Sequence, residues 1–223
     1  SNVWSLVPNM NTTDEVLRGL FETEAVRHAM SVAVDRELIN ELTQSGLAKE
    51  LQTAPVMGSP YYSEELSTHW TEYDPDLANE LLDEAGLSER DGAGFRLRPD
   101  GQRFSLVVEA NDAAHAKTLE LLAENFADVG IEFLPRVIDR TQWDDNRKNN
   151  NFQMQLVPFD RLSIVPADPR IMMGSDFFAN EYFTWYRTGG ESGMEPAADH
   201  PIRDVWAAWD RATSAPSIEQ ADA

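Results

Sequence analysis

The stretch that most constrains the fold runs from residue 104 to residue 138. Residues 103–110 alternate apolar and polar, the period of a strand with one buried face. Residues 113–129 follow with Leu119, Leu122, Phe126 and Val129 on one side of a helix, and Gly130 is a stop signal. Residues 131–138 again read as a strand. Strand, helix and strand in that order predict a β-α-β crossover, which requires parallel strands and favours a right-handed turn. Just before it, residues 95–98 alternate and Pro99-Asp100-Gly101 turns, so a hairpin is expected to lead into the first strand. A chain built on a parallel pair is an α/β chain, because the crossover helix must cover the sheet.

The remaining segments fit around that unit. Residues 3–7 read as a strand ended by Pro8, and residues 15–21 as a short helix after the polar loop Asn11-Thr12-Thr13-Asp14. Residues 25–42 form two helices with a break. Val26, Ala29, Met30 and Ala33 share a core face; after Asp35, which caps the second helix, the stripe shifts to Leu38, Ile39 and Leu42. Residues 47–63 read as a long loop, a length that is either functional or packed over a core. Asp74-Pro75-Asp76 starts a helix with Leu77, Leu81, Leu82 and Ala85 as its stripe and Gly86 as its stop. A helix over 141–148 and a strand over 152–159 follow. The pattern weakens from 161 to 200 and recovers in a last helix over 201–211. Residues 214–223 read as a fraying tail. The expectation is one lobe over residues 1–223, with a mixed open sheet of about four or five strands covered by helices. Residues 1–2, Ser-Asn, read as the scar of a tag on a piece of a longer protein.

Charge and composition narrow the function classes. The net charge is −21 and only three residues are lysine, Lys49, Lys117 and Lys148, so nucleic acid and anionic membrane surfaces are poor partners. Cysteine is absent, which excludes thiol chemistry, cysteine-bound metals and disulfides. No apolar run approaches the ~20 residues of a membrane span. No leader stands at the start. His28, His69, His115 and His200 fall in no metal-binding pattern, so neither metal nor cofactor is expected, and His28 reads as a hydrogen-bonded core residue. No nucleophile elbow, phosphate loop or dinucleotide fingerprint is present. Open α/β sheets bind ligands at the carboxyl ends of their strands. That places a site after Phe159, with Asp160 and Arg161 as the first candidates: a guanidinium for a carboxylate, a carboxylate for an ammonium or sugar hydroxyl. Phe159, Tyr182 and Trp185 would suit the apolar face of a sugar. An acidic hydrolase using a carboxylate pair is a different class, and a purely structural interaction module is a third.

Several motifs then carry a family resemblance. Val26-Arg27-His28-Ala29-Met30-Ser31-Val32-Ala33-Val34-Asp35-Arg36-Glu37 resembles a signature helix of the family-5 extracellular solute-binding proteins of ABC importers. In the same order follow Gly58-Ser59-Pro60-Tyr61-Tyr62, the helix from Tyr73-Asp74-Pro75-Asp76 to Ala85-Gly86, the turn Phe95-Arg96-Leu97-Arg98-Pro99-Asp100-Gly101, and Val129-Gly130-Ile131. Pro8-Asn9-Met10-Asn11-Thr12-Thr13 precedes them in the family's position. The resemblance spans about residues 6–170 and covers only the second, central lobe of such a receptor. It implies a periplasmic or lipid-anchored, non-enzymatic protein, made with a signal peptide, that closes two lobes on a solute and docks on a membrane permease. The solute it implies is an oligopeptide, with an oligosaccharide or an opine as the alternative. Asp168-Pro169 matches the family's turn near the peptide amino group, although Ile164-Val165-Pro166 stand where an acidic residue would precede it.

Overall fold

The computed structural model describes residues 3–159, 173–175 and 177–215. Its sheet has four strands: β1 (Val3–Pro8), β2 (Ser105–Ala110), β3 (Glu132–Val137) and β4 (Met154–Phe159), in the spatial order β1-β4-β2-β3. β2 pairs in parallel with β3 over its whole length and with β4 through Val108 and Glu109, while β1 runs antiparallel to β4. The expected parallel crossover is present, and the mixed sheet falls within the expected strand number.

Alternation along the strands builds two cores. Leu106, Val108 and Ala110 of β2, Phe133 of β3 and Met154 and Leu156 of β4 face the larger one. Over that face lie α1 (Glu15–Glu22), α2 (Glu24–Val32), α5 (Pro75–Glu84) and α6 (Ala116–Asp128), contributing Leu17, Phe21, Val26, Ala29, Leu82, Leu119 and Phe126. Val7, Val157 and Phe159 face the other way, against Trp143 of α7 (Arg140–Lys148) and the partly buried Val56, Phe177 and Phe178. A third cluster joins Tyr182 of α8 (Asn180–Arg187) to Ile202 and Trp206 of α9 (Ile202–Ser214), with Met173 and Ala179 between. The two remaining helices, α3 (Arg36–Gln44) and α4 (Glu64–Thr68), lie at the surface, and α3 buries no residue.

Helix breaks follow the expected chemistry. Asp35 accepts from the Leu38 N–H at 2.9 Å and Asp74 from the Leu77 N–H at 2.8 Å, each the first turn's side-chain cap. Gly130 ends the α6 segment at φ 81°; a Cβ there would come within 2.3 Å of the Arg90 guanidinium. The long loop after α3 is packed. The Gln52 amide donates to Ser31 Oγ at 2.8 Å, the Thr53 and Ser5 hydroxyls bond, and Val56 reaches the second core.

The structure departs from expectation in three places. The hairpin before β2 is reduced to the single bridges Arg90↔Arg96 and Leu97↔Arg103. Its backbone donors are divided among segments, the Arg96 N–H going to the Gly130 carbonyl, the Leu97 N–H to that of Glu89 and the Arg98 N–H to that of Gln102. The side chains bind carboxylates: Arg98 those of Asp14 and Asp100, Arg103 those of Asp91 and Glu132, and buried Arg96 that of Asp83. Helix α4 continues the residues read as loop, with Ser63 Oγ accepting from the Leu66 N–H. Helix α8 lies where the pattern seemed to weaken, because its aromatic residues face two neighbours at once and leave no clean stripe.

Buried Asn11 joins the ends of the chain. Its Oδ1 accepts the N–H groups of Glu181 at 3.1 Å and Tyr182 at 3.2 Å, the first donors of α8. Asn150 Nδ2 donates to the Asn11 carbonyl at 2.7 Å, and the Asn11 N–H donates to Asn9 Oδ1 at 3.0 Å. Asn11→Ala leaves the Glu181 and Tyr182 N–H groups without their side-chain acceptor. We expect it to cost about 2 kcal/mol, read as a lower urea midpoint at unchanged slope.

Candidate functional site

The connections set the site. β2 passes through α6 on the larger core's face to reach β3, whereas β3 passes through α7 on the opposite face to reach β4. Adjacent strands whose following helices lie on opposite faces leave a crevice outside their carboxyl ends. Here it opens between residues 111–115 and 138–140. Because β1 runs antiparallel, its first residues stand at this same edge, beside the end of β4.

Two short helix starts line the crevice. Asp112 accepts from the Ala114 N–H at 2.9 Å, and Asp139 accepts from the N–H groups of Thr141 and Gln142 at 2.9 and 3.1 Å. These caps use the first donors and leave carboxylates at the rim. Arg140 bonds Asp144 at 3.0 Å and lies over the Trp143 ring. The apolar element is Trp4, which is 39% exposed, with its ring 3.9 Å from that of His115 and tilted by 52°. Burial beside the indole holds the His115 pKa below the ordinary imidazole value, and Asp112 opposes this in part. Beneath the crevice, buried Glu109 accepts from Asn146 Nδ2 at 2.8 Å and Gln155 Nε2 at 3.1 Å, which ties α7 to the end of β2 and the start of β4.

Of the expected site residues, the three that are described do not share one cluster. Phe159 does end β4 at this edge, but it is buried, with its ring 5.5 Å from that of Phe177. Tyr182 is buried in the third cluster, where its hydroxyl donates to Glu22 Oε1 at 3.0 Å; burial, followed by Glu22, pushes its pKa up to about 12. Trp185 packs beside Trp206 in that cluster, under the Arg203 guanidinium. Neither Tyr182 nor Trp185 shares a cluster with Phe159. Asp160, Arg161 and Asp168 lie outside the described residues. Sequence reasoning passed over Trp4 and His115, which stand 111 positions apart; the available signal was an aromatic at the first strand's start and a histidine just after a strand's carboxyl end.

His28 is half-buried rather than in the core. It stacks on Trp70 with ring centroids 4.2 Å apart, beside His69 and an open cavity of about 340 Å³ lined by Glu65, Thr68, His69, Trp70 and Glu72. Among the described residues no group of three His, Cys, Asp or Glu side chains is arranged to hold a metal ion, and no helix is long and apolar enough to cross a membrane.

Comparison with known proteins places these features in context. A family model described as bacterial extracellular solute-binding proteins, family 5 Middle, matches residues 1–180. The chain is 24% identical over 208 residues to the oligopeptide-binding protein AppA of Bacillus subtilis, covering 90% of this chain and 36% of that protein. Among solved structures, an oligopeptide-binding protein OppA superposes with a TM-score of 0.86 at 26% identity, over 99% of this chain and 38% of that one. The periplasmic binding protein MelB of Agrobacterium fabrum, solved with stachyose, superposes at 0.77 and 19% identity, over 99% of this chain and 34% of that one. The chain therefore spans little more than a third of the length of these proteins.

The Trp4–His115 contact can be read directly. Protonated imidazole quenches a neighbouring indole, and the His115 proton binds below the ordinary pKa of about 6.5. Tryptophan emission is expected to fall on acidification with a component centred below that value. In His115→Gln the Trp4 part of that component should be lost, while quenching of Trp70 by the His28 stacked on it remains; His115→Gln combined with His28→Gln should abolish both.

Proposed function

This chain belongs to family 5 of the bacterial extracellular solute-binding proteins, and from that premise we propose that it forms one wall of a solute-binding cleft in an ABC import system. The ligand lies against the carboxyl edge of the sheet and is covered by the rest of a two-lobed receptor. Closure then presents the loaded receptor to a membrane permease. On this reading the receptor works outside the cytoplasmic membrane, in the periplasm or on a lipid anchor, and breaks no bond.

The observation that carries the reading is the family match over residues 1–180. The crevice supports it physically. Two connections leave the sheet on opposite faces, an exposed indole stands at the edge, and the charged groups at the rim are caps or ion-pair partners. Such a surface positions a ligand by contact and hydrogen bonding.

The ligand class we propose is an oligopeptide, as in the names of AppA and OppA. A second reading, an oligosaccharide, has its own support in the exposed Trp4 ring, a flat apolar platform of the kind that carries a sugar face, and in the stachyose complex of MelB.

Half a cleft cannot bury its ligand, so the 223-residue chain alone is expected to bind a mixed tetra- and pentapeptide pool weakly, with no saturation at micromolar concentration in calorimetry. Submicromolar binding by this chain would overturn the two-wall reading. For the class of solute, a protein of the relatives' length containing this chain should be purified from its own host and its bound molecules identified by mass spectrometry. Peptides uphold the first reading; oligosaccharides replace it with the second.

A further inference from the structure

The junction between helices α8 and α9 and the rest of the chain contains a titratable ring, His200. Pro201 stands at the cap position of helix α9, just before Ile202, where its missing N–H costs nothing. His200 precedes it. Its Nδ1 accepts the Ile202 N–H at 3.1 Å, and its carbonyl accepts the Arg203 N–H at 3.0 Å. A histidine can accept through Nδ1 only while neutral, with the proton on Nε2. The same ring meets Tyr182 edge-on at 5.1 Å, and Tyr182 donates its hydroxyl to Glu22 at the end of α1. One imidazole thus touches both the start of α9 and the tyrosine that pins α8 to the sheet-covering helices.

The geometry points to His200 as an acid-sensitive latch that holds α9 down while neutral and releases its first turn when protonated. Protonation removes the acceptor at Nδ1 and turns it into a donor facing another donor. It also sets a positive charge at the positive end of the α9 dipole. The charged groups facing the ring come from four places: Glu22 of α1, Arg27 of α2, Asp199 beside it and Arg203 of α9. Glu22 and Asp199 favour the imidazolium, while Arg27 and Arg203 oppose it. Glu22 is already the acceptor of Tyr182, so an imidazolium that draws on Glu22 weakens the second tie as well. Burial keeps His200 neutral to a lower pH than a free imidazole. The unfolded chain therefore takes up the proton first. The latch's contribution is complete above about pH 6.5 and declines as the pH falls below it.

Release would be felt beyond α9. Trp206 Nε1 donates to the Met173 carbonyl at 3.1 Å, and Ile202 and Trp206 close the third cluster over Met173, Ala179 and Tyr182. Loosening the first turn frees the helix that covers this cluster.

The test is amide hydrogen exchange of the intact chain between pH 8 and pH 5, corrected for the intrinsic pH dependence of exchange. Protection at residues 202–206 should fall about fivefold across this range, the value of one helix cap. His200→Asn keeps a side-chain acceptor that does not titrate, so its protection should be flat. His200→Ala should show the reduced protection already at pH 8. The pKa values of His28 and His115 are also held down by burial, but these rings pack against Trp70 and Trp4, away from α9 in the chain, so the local readout separates them. Equal loss of protection in the parent and His200→Asn, or unchanged protection in the parent, would overturn the latch.

Discussion

Strand β2 is held on four sides, and the rest of the molecule follows from that. It has a parallel partner on each edge, the larger core against Leu106, Val108 and Ala110, and α7 with its polar contacts against Glu109. A parallel strand cannot be reached by a tight turn, so each partner must arrive through a helix. With β3 and β4 on opposite edges of β2, α6 and α7 fall on opposite faces. The crevice at the carboxyl edge is the space between those two departures.

The two ends of the sheet do different work. At the amino end, Arg96, Arg98 and Arg103 bind carboxylates from the hairpin, α1, α5 and β3. The pKa of Glu132 is depressed, by its Ser105 hydrogen bond first and by Arg103 against an opposing burial penalty; that of Asp14 falls because the Leu17 N–H and Arg98 outweigh the penalty of burial. This end is tied down by charge. At the carboxyl end the rim carboxylates serve as caps and the ring of Trp4 is left partly open. One end is held by ion pairs and the other leaves an accessible edge, as the proposed cleft wall requires.

Much of the architecture was legible because it is local. The crossover over 104–138, the break at Asp35, the Asp74-Pro75 start and the Gly130 stop each depend on a few neighbouring residues, and each appears where the pattern placed it. Helix α8 was less legible because its residues face both the chain's beginning and its last helix, so no single stripe marks it. The hairpin was read too strongly: alternation alone does not reveal that the backbone donors of Arg96 and Leu97 will go to Gly130 and Glu89 instead of lengthening one ladder.

What the sequence determined by itself was the α/β class, the starts and stops of the capped helices and the family motifs, because spacing, caps and stops act within a few residues. What only the tertiary structure decided was which aromatic residues stand at the open edge. Phe159 and Tyr182 turned inward, against Phe177 and Glu22, while Trp4 met His115 from 111 positions away. An aromatic ring is equally at home in a core or on a ligand surface. Its place depends on which distant segment reaches it first, and an antiparallel first strand brought Trp4 to the carboxyl edge of strands that begin about a hundred residues later.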